Sequence, residues 1–274
     1  MVESACYQHG TMSCMSCHTM HEADGERQQE WRDDQLKPGM RGNKTCLQCH
    51  ADYAKLASAH THLQAGSSGS ECMNCHMPLT AYGLLKTVRS HRISSPSVDT
   101  TINTGRPNAC NLCHLDQTLQ WSADHLSEWY GQTKPELTRD EKETSAAALH
   151  FVKGDAAQRA IQASVFSWPP AREASGSEWM PPFLLNGMND QYDAVRIISE
   201  RSLRSIKPWH EVEYDFLDRS VGESQRITSL IEQMEIPSEA GRAPLLLDDG
   251  GKLIMPRLND LFKRRNKRIV EVFE

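Results

Sequence analysis

What this sequence lacks narrows its reading quickly. It has no run of about 18 consecutive apolar residues, so no helix that crosses a bilayer is expected. It has no excess of one charge. Its 30 basic and 36 acidic side chains leave a net charge of −6, too small and too mixed to point to nucleic acid or an anionic membrane. The start, Met1-Val2-Glu3-Ser4-Ala5-Cys6, has neither the basic segment nor the apolar stretch of an export signal. Cysteine is missing from everything after Cys113. The second half also lacks a nucleophile triad, a phosphate loop and a nucleotide fingerprint.

What is present sits in the first 113 positions. Eight of the nine cysteines fall into C-x-x-C-H four times: Cys14, Cys17 and His18; Cys46, Cys49 and His50; Cys72, Cys75 and His76; Cys110, Cys113 and His114. Two thiols three residues apart on one turn can each add to a vinyl group of the same porphyrin, and the adjoining histidine then reaches the iron from the proximal side. A zinc reading would need the motifs to pair into tetrahedral sets and the four histidines to be coincidental. Four covalently bound haems c are therefore expected. Successive first cysteines are 32, 26 and 38 residues apart, segments too short to build an apolar core each, so the haems must supply it. Their propionates would take the net charge to about −10. Cys6 lacks a second cysteine and a motif of its own.

Eight histidines remain, and five of them, His9, His21, His60, His62 and His91, lie in the haem region. That number is sufficient to close all four irons on the distal side. His21 follows His18 by three residues and would serve a neighbouring haem. Of His60 and His62, which point apart in extended chain, one is expected to bind, with His62 preferred. Met12, Met15, Met20, Met40, Met73 and Met77 compete as axial ligands but read as soft packing around porphyrin. His125 reads as solvent-exposed. Leu119, Trp121, Leu126, Trp129 and Tyr130 predict a helix leaving the fourth motif, with aromatics over the porphyrin and Gly131 ending it.

Beyond residue 133 the pattern turns to helical hairpins, with apolar runs over Ala146 to Val152, Ala156 to Phe166 and Ala194 to Ile206. Pro169, Pro170, Pro181 and Pro182 mark the breaks. A faint offset of about 35 residues between Gly154-Asp155 and Asn189-Asp190 fits stacked two-helix repeats of the HEAT kind. Leu245 to Leu247, the turn Asp248-Asp249-Gly250-Gly251 and Leu253 to Phe262 read as an extended piece, a turn and a last helix. The basic cluster Lys263, Arg264, Arg265, Lys267 and Arg268 reads as that helix's solvated face. The expectation is a mainly α chain: an irregular, haem-packed tetrahaem cytochrome c domain over 1–132, then a helical, HEAT-like domain over 133–274.

Several stretches resemble the bacterial multihaem cytochromes whose haem region is followed by HEAT-like or tetratricopeptide-like helices. They are Ser4 to Tyr7, Cys17-His18-Thr19-Met20-His21, His60-Thr61-His62, Cys75-His76-Met77-Pro78, Tyr82-Gly83-Leu84-Leu85, Arg89-Ser90-His91-Arg92-Ile93, Pro107-Asn108-Ala109-Cys110, Trp129-Tyr130-Gly131 and Asp190 to Arg196. The resemblance implies a periplasmic or surface electron carrier with bis-histidine haems, and His21, His91 and one of His60 and His62 as ligands. Leu63 stands where that family often has a further histidine, which leaves the choice within the pair open.

The functional expectation is electron transfer through four bis-histidine haems to other redox proteins, multihaem cytochromes above all, by a chain that is not itself an enzyme. Two alternatives stand beside it: a reductase of a small nitrogen or sulfur oxyanion, and a subunit of a homo-oligomer or filament. No nucleic acid partner and no membrane span are expected. Covalent haem attachment takes place outside the cytoplasm, so a periplasmic or extracellular location is expected, with the signal removed or the chain part of a longer polypeptide.

Overall fold

The structure is a computed structural model that describes residues 1–21, 28–33, 35–83, 85–234, 236, 244–268 and 270. Leu84, in one of the resembling stretches, lies outside them. The fold is mainly α, with fifteen α-helices and a single two-stranded hairpin among the described residues. Compactness divides the chain into two units, Met1–Pro78 with Arg89–Ser95, and Leu79–Val88 with Pro96–Glu274. This division falls earlier than the one read from the motifs. Three motifs lie in the first unit, whereas the fourth lies in the second, because its surroundings are apolar helices.

The first unit is built of short pieces: α1 (Ala5–Gln8), α2 (Gln28–Asp33), α3 (Lys44–Leu47), α4 (Tyr53–Thr61) and α5 (Cys72–His76). Ser4 caps α1 by accepting from the Tyr7 amide, and α4 ends where His62 turns left-handed at φ 58°. Among the described residues of this unit only Ser4, Ser70, Met73 and Asn74 are buried. A single apolar side chain cannot drive folding against chain entropy. This unit therefore has the composition of a shell and lacks a polypeptide core.

The second unit opens with the antiparallel hairpin of β1 (Ala81–Gly83) and β2 (Lys86–Val88). Next come α6 (Val98–Thr104) and α7 (Leu119–Tyr130). Thr118 caps α7 from its side chain, and Gly131, at φ 65°, closes it in the left-handed conformation that glycine adopts without a Cβ clash. After α8 (Arg139–Glu143), the apolar runs form α9 (Ala146–Lys153), α10 (Ala156–Val165), α12 (Pro181–Met188) and α13 (Asp193–Arg204). Asp155 and Gln158 form a capping box on α10. Prolines begin α11 (Pro169–Ser175) and α12, where their missing N–H costs nothing.

Helix α10 packs on α9 and α13, and α12 packs on α13 and on α14 (Val221–Glu232). Phe151, Phe166, Trp179 and Phe183 form a chain of ring contacts through the core, with centroids 5.4, 5.6 and 5.7 Å apart. The last helix, α15 (Met255–Lys263), packs on α9 after the expected turn, where the Asp248 amide donates to the Lys252 carbonyl.

In the basic cluster Lys263, Lys267 and Arg268 are exposed, as expected, whereas Arg264 and Arg265 are engaged in ion pairs. Arg264 follows α15 and pairs with Asp140, which also takes Lys153 at 3.0 Å and Arg257 at 2.7 Å. Arg265 donates to the Val152 carbonyl at 2.7 Å and to Asp190 at 3.1 Å. Asp190 is already held by both ends of the Arg159 guanidinium at 2.7 and 2.9 Å. Asp140 and Asp190 lie more than 70 positions from these arginines, which hides the pairing in sequence, while Arg264 also pairs locally with Asp260 at 2.6 Å.

Candidate haem-binding sites

The four motifs share one local shape. In each of three, the histidine amide donates to the carbonyl of the first cysteine, His18 to Cys14, His50 to Cys46 and His114 to Cys110, all at 2.9 Å. The third motif lies wholly within α5. That single turn brings both thiols and the imidazole to one side. None of the nine cysteines, all of them described residues, is in a disulfide. Among the described residues no group of three or more His, Cys, Asp or Glu side chains is arranged to hold a metal ion.

The imidazoles are arranged in facing pairs. His18 lies opposite His91 with ring centres 6.1 Å apart and planes at 30°. His60 lies opposite His76 at 6.0 Å, with planes at 5°. A metal–imidazole bond is about 2 Å, and the ring centre lies about 1 Å behind the nitrogen, so two histidines gripping one ion from opposite sides have centres about 6 Å apart. The residues of the first unit therefore fit a haem iron with histidine on both faces. The ring beside His76 belongs to His60, on the last turn of α4, whereas His62, which the sequence reading preferred, is its left-handed end. His9, His21 and His62 are exposed.

In both pairs a ring nitrogen is already engaged. His76 Nδ1 is 3.3 Å from the Ser94 carbonyl, and His91 Nδ1 is 3.2 Å from the Arg89 carbonyl. A carbonyl only accepts, so each Nδ1 carries the proton and each Nε2 keeps its lone pair for a metal. Burial pushes the His76 imidazole below its ordinary pKa, and the nearby His60 and His50 add to this. It is thereby kept in the neutral form that binds iron. Burial also raises the thiols of Cys17 and Cys75. Cys46 is pushed up to about 12, by burial first and then by the hydrogen-bonded thiol of Cys72. The second and third motifs thus touch through their first cysteines. Tyr53 lies near the histidine of the second motif and the histidine beside the third, with ring centres 6.3 Å from His50 and 4.8 Å from His60.

The fourth motif has different neighbours. His114, whose pKa is lowered by burial, has the Trp121 ring at 4.8 Å, as expected for an aromatic cover. His125, expected to be solvent-exposed, is half-buried. It is sandwiched between Trp121 at 4.4 Å and Trp129 at 4.7 Å, because positions four apart share one face of α7. Asn108 Nδ2 and Asp116 Oδ1, on either side of the motif, are buried without a hydrogen-bond partner among the described residues. A propionate there would accept from Asn108 Nδ2, while Asp116 Oδ1, itself an acceptor, would need a donor. Met73 is buried, while Met15 and Met20 are exposed.

Sequence reasoning missed two contributors, Tyr53 and Arg89. The Arg89 guanidinium donates to the Met73 carbonyl at 2.8 Å, the Met77 carbonyl at 3.1 Å and Asn74 Oδ1 at 2.7 Å. Nothing in the local pattern marks an arginine for such a role.

Comparison with known families agrees with this geometry. A model for the doubled CXXCH motif matches residues 8–55, the first two motifs. A model for cytochrome c552 matches residues 56–167, which take in the third and fourth motifs and the helices that follow. Neither match is to a HEAT or tetratricopeptide repeat. No curated protein and no solved structure matches the chain. The cytochrome c552 family is a nitrite reductase family, which overturns the expectation that the chain is not an enzyme. No helix among the described residues is long and apolar enough to cross a membrane. The repeated attachment turns, the imidazoles set to receive iron and the two family matches converge: the chain is a multihaem c-type cytochrome that binds haem c and serves electron transfer.

Proposed function

We propose that this cytochrome carries electrons through four covalently held haems, three in its first unit and one in its second. At least two of them would be closed by histidine on both faces. The observation that carries this reading is the pair of facing imidazole sets, His18 with His91 and His60 with His76, at 6.1 and 6.0 Å. Each would be joined to the chain by its own two thiols: Cys14 and Cys17, Cys46 and Cys49, Cys72 and Cys75, and Cys110 and Cys113. Bound there, each haem supplies an iron that changes oxidation state by one electron.

The polypeptide fixes the ligands, and burial favours the neutral form of His76 and His114. The contact between Cys46 and Cys72 supports a short gap between the second and third haems. His9, His21 and His62 are the remaining distal candidates within the first unit. The partners would be other redox proteins, multihaem cytochromes first, with further copies of this chain as a second class. The site of action would be the periplasm or the cell exterior.

The test is the ferric spectrum of the purified protein with single substitutions. His60→Ala is expected to convert one low-spin haem to a high-spin form. His62→Ala is expected to leave the spectrum of that haem unchanged. High-spin signals in the unaltered protein at the haems of His18 and His76 would overturn the reading.

A second reading is favoured by one observation. The match to the nitrite reductase family covers the fourth motif, where the ring next to His114 within its own unit is that of Trp121. Reduction of a small nitrogen oxyanion at that haem would use electrons delivered by the others. Nitrite consumption with a chemical reductant checks this, and no turnover of nitrite or hydroxylamine would remove it.

A further inference from the structure

We propose that the six residues Arg89 to Ser94 form a strap that sets the ligand field of two haems at once, with Arg89 as its positioning residue. The inference rests on the bis-histidine reading above. The strap touches one imidazole of each facing pair. The Arg89 carbonyl takes the Nδ1 proton of His91, which faces His18, and the Ser94 carbonyl takes that of His76, which faces His60. Both ends of one short segment therefore orient a ligand, one of its own and one from α5.

The strap is fixed to α5 by bonds that do not involve the rings. Ser90 N donates to the Pro78 carbonyl at 2.9 Å, and Ser94 N to the His76 carbonyl at 3.1 Å. The Arg89 guanidinium supplies the remainder. Its three bonds reach Met73 O, Met77 O and Asn74 Oδ1, so one planar side chain spans the end of α5, adding a second bond to the Met73 carbonyl that already accepts from the Met77 amide. Asn74 is itself buried and donates to the Ser68 carbonyl at 2.7 Å, which gives the anchor a fixed partner.

A proton shared from Nδ1 to a carbonyl makes Nε2 a stronger donor and holds the ring plane. A stronger donor favours ferric iron and lowers the potential. The two haems attached at Cys14 and Cys17 and at Cys72 and Cys75 are tuned by a common element. Slackening it raises both potentials together.

The test is a redox titration of the holoprotein, followed by electron paramagnetic resonance so that each low-spin ferric signal is tracked separately. In Arg89→Met, two signals are expected to move to higher potential in the same direction, while the others stay where they are in the unaltered protein. Arg89→Lys, which keeps the charge and part of the bonding, is expected to move the same two signals by less. It carries the test alone if Arg89→Met does not accumulate. A shift of one signal only, of none, or of all by the same amount would overturn the strap. If the unaltered protein lacks two low-spin bis-histidine signals, the underlying ligation reading fails instead, so the two failures are told apart.

Discussion

The two units solve the same problem with different materials. The second buries whole faces of α9, α10, α12 and α13 around Phe166, Trp179 and Phe183, each 1% exposed or less. The first, described over almost as many residues as a small domain, buries Met73 as its single apolar side chain. It arranges cysteine turns and facing imidazoles where a core would be. In one unit stability comes from side chains meeting each other. In the other it must come from groups that the side chains are placed to hold, as in small domains stapled by metal. The fourth motif shows the same contrast from the other side: it is set among apolar helices and needs its haem less for folding.

The largest expected effect follows directly. Produced without haem attachment, the chain should lose protease protection across residues 1–78 while keeping protected, helical fragments from the second unit, as read by limited proteolysis and mass spectrometry. Equal protection of both units would erase the comparison.

A smaller effect comes from the opposite change. Phe183→Ala should cost the second unit about 3–5 kcal/mol by chemical denaturation, with the haem absorption of the folded protein unchanged.

Smaller again is a dependence on pH confined to the second unit. Burial lowers His150 to about 4, so between about 6.5 and 4 the unfolded chain takes up a proton that the folded chain refuses. Stability should therefore fall as pH drops through that window, and His150→Leu should flatten the slope. Asp140 is held well below the usual carboxylate range, by the Arg264 hydrogen bond first and then by Lys153. Its contribution is present above about 3.9 and is lost only as pH falls further, so a second decline should appear there and survive His150→Leu. The smallest expected effect is that of His62→Ala, which should leave both the protection pattern and the third haem's spectrum unmoved.

What the sequence made legible was local. Four C-x-x-C-H turns, the runs at Ala146, Ala156 and Ala194, and the prolines that start α11 and α12 each carry their signal within a few residues. The structure has them where they were expected. What stayed hidden depended on distance. Arg264 and Arg265 look solvated until Asp140 and Asp190 are brought to them from more than 70 residues away. His125 reads as exposed until Trp121 and Trp129 close over it. That the ring beside His76 is His60 rather than His62 depends on which residue ends α4 on that side. Arg89 gives no local sign of its three partners on α5. The hairpin at Ala81 to Val88 is likewise set by its packing on α10, since neither strand is long enough to announce itself.

The proposal at stake is that four haems are built into this chain and that three of them form the missing core of its first unit. The direct measurement is the intact mass of the denatured holoprotein. It should equal that of the polypeptide plus four covalently attached haems, with an alkaline pyridine spectrum giving the same count. A mass showing fewer than four, or haem that leaves on denaturation, would contradict it.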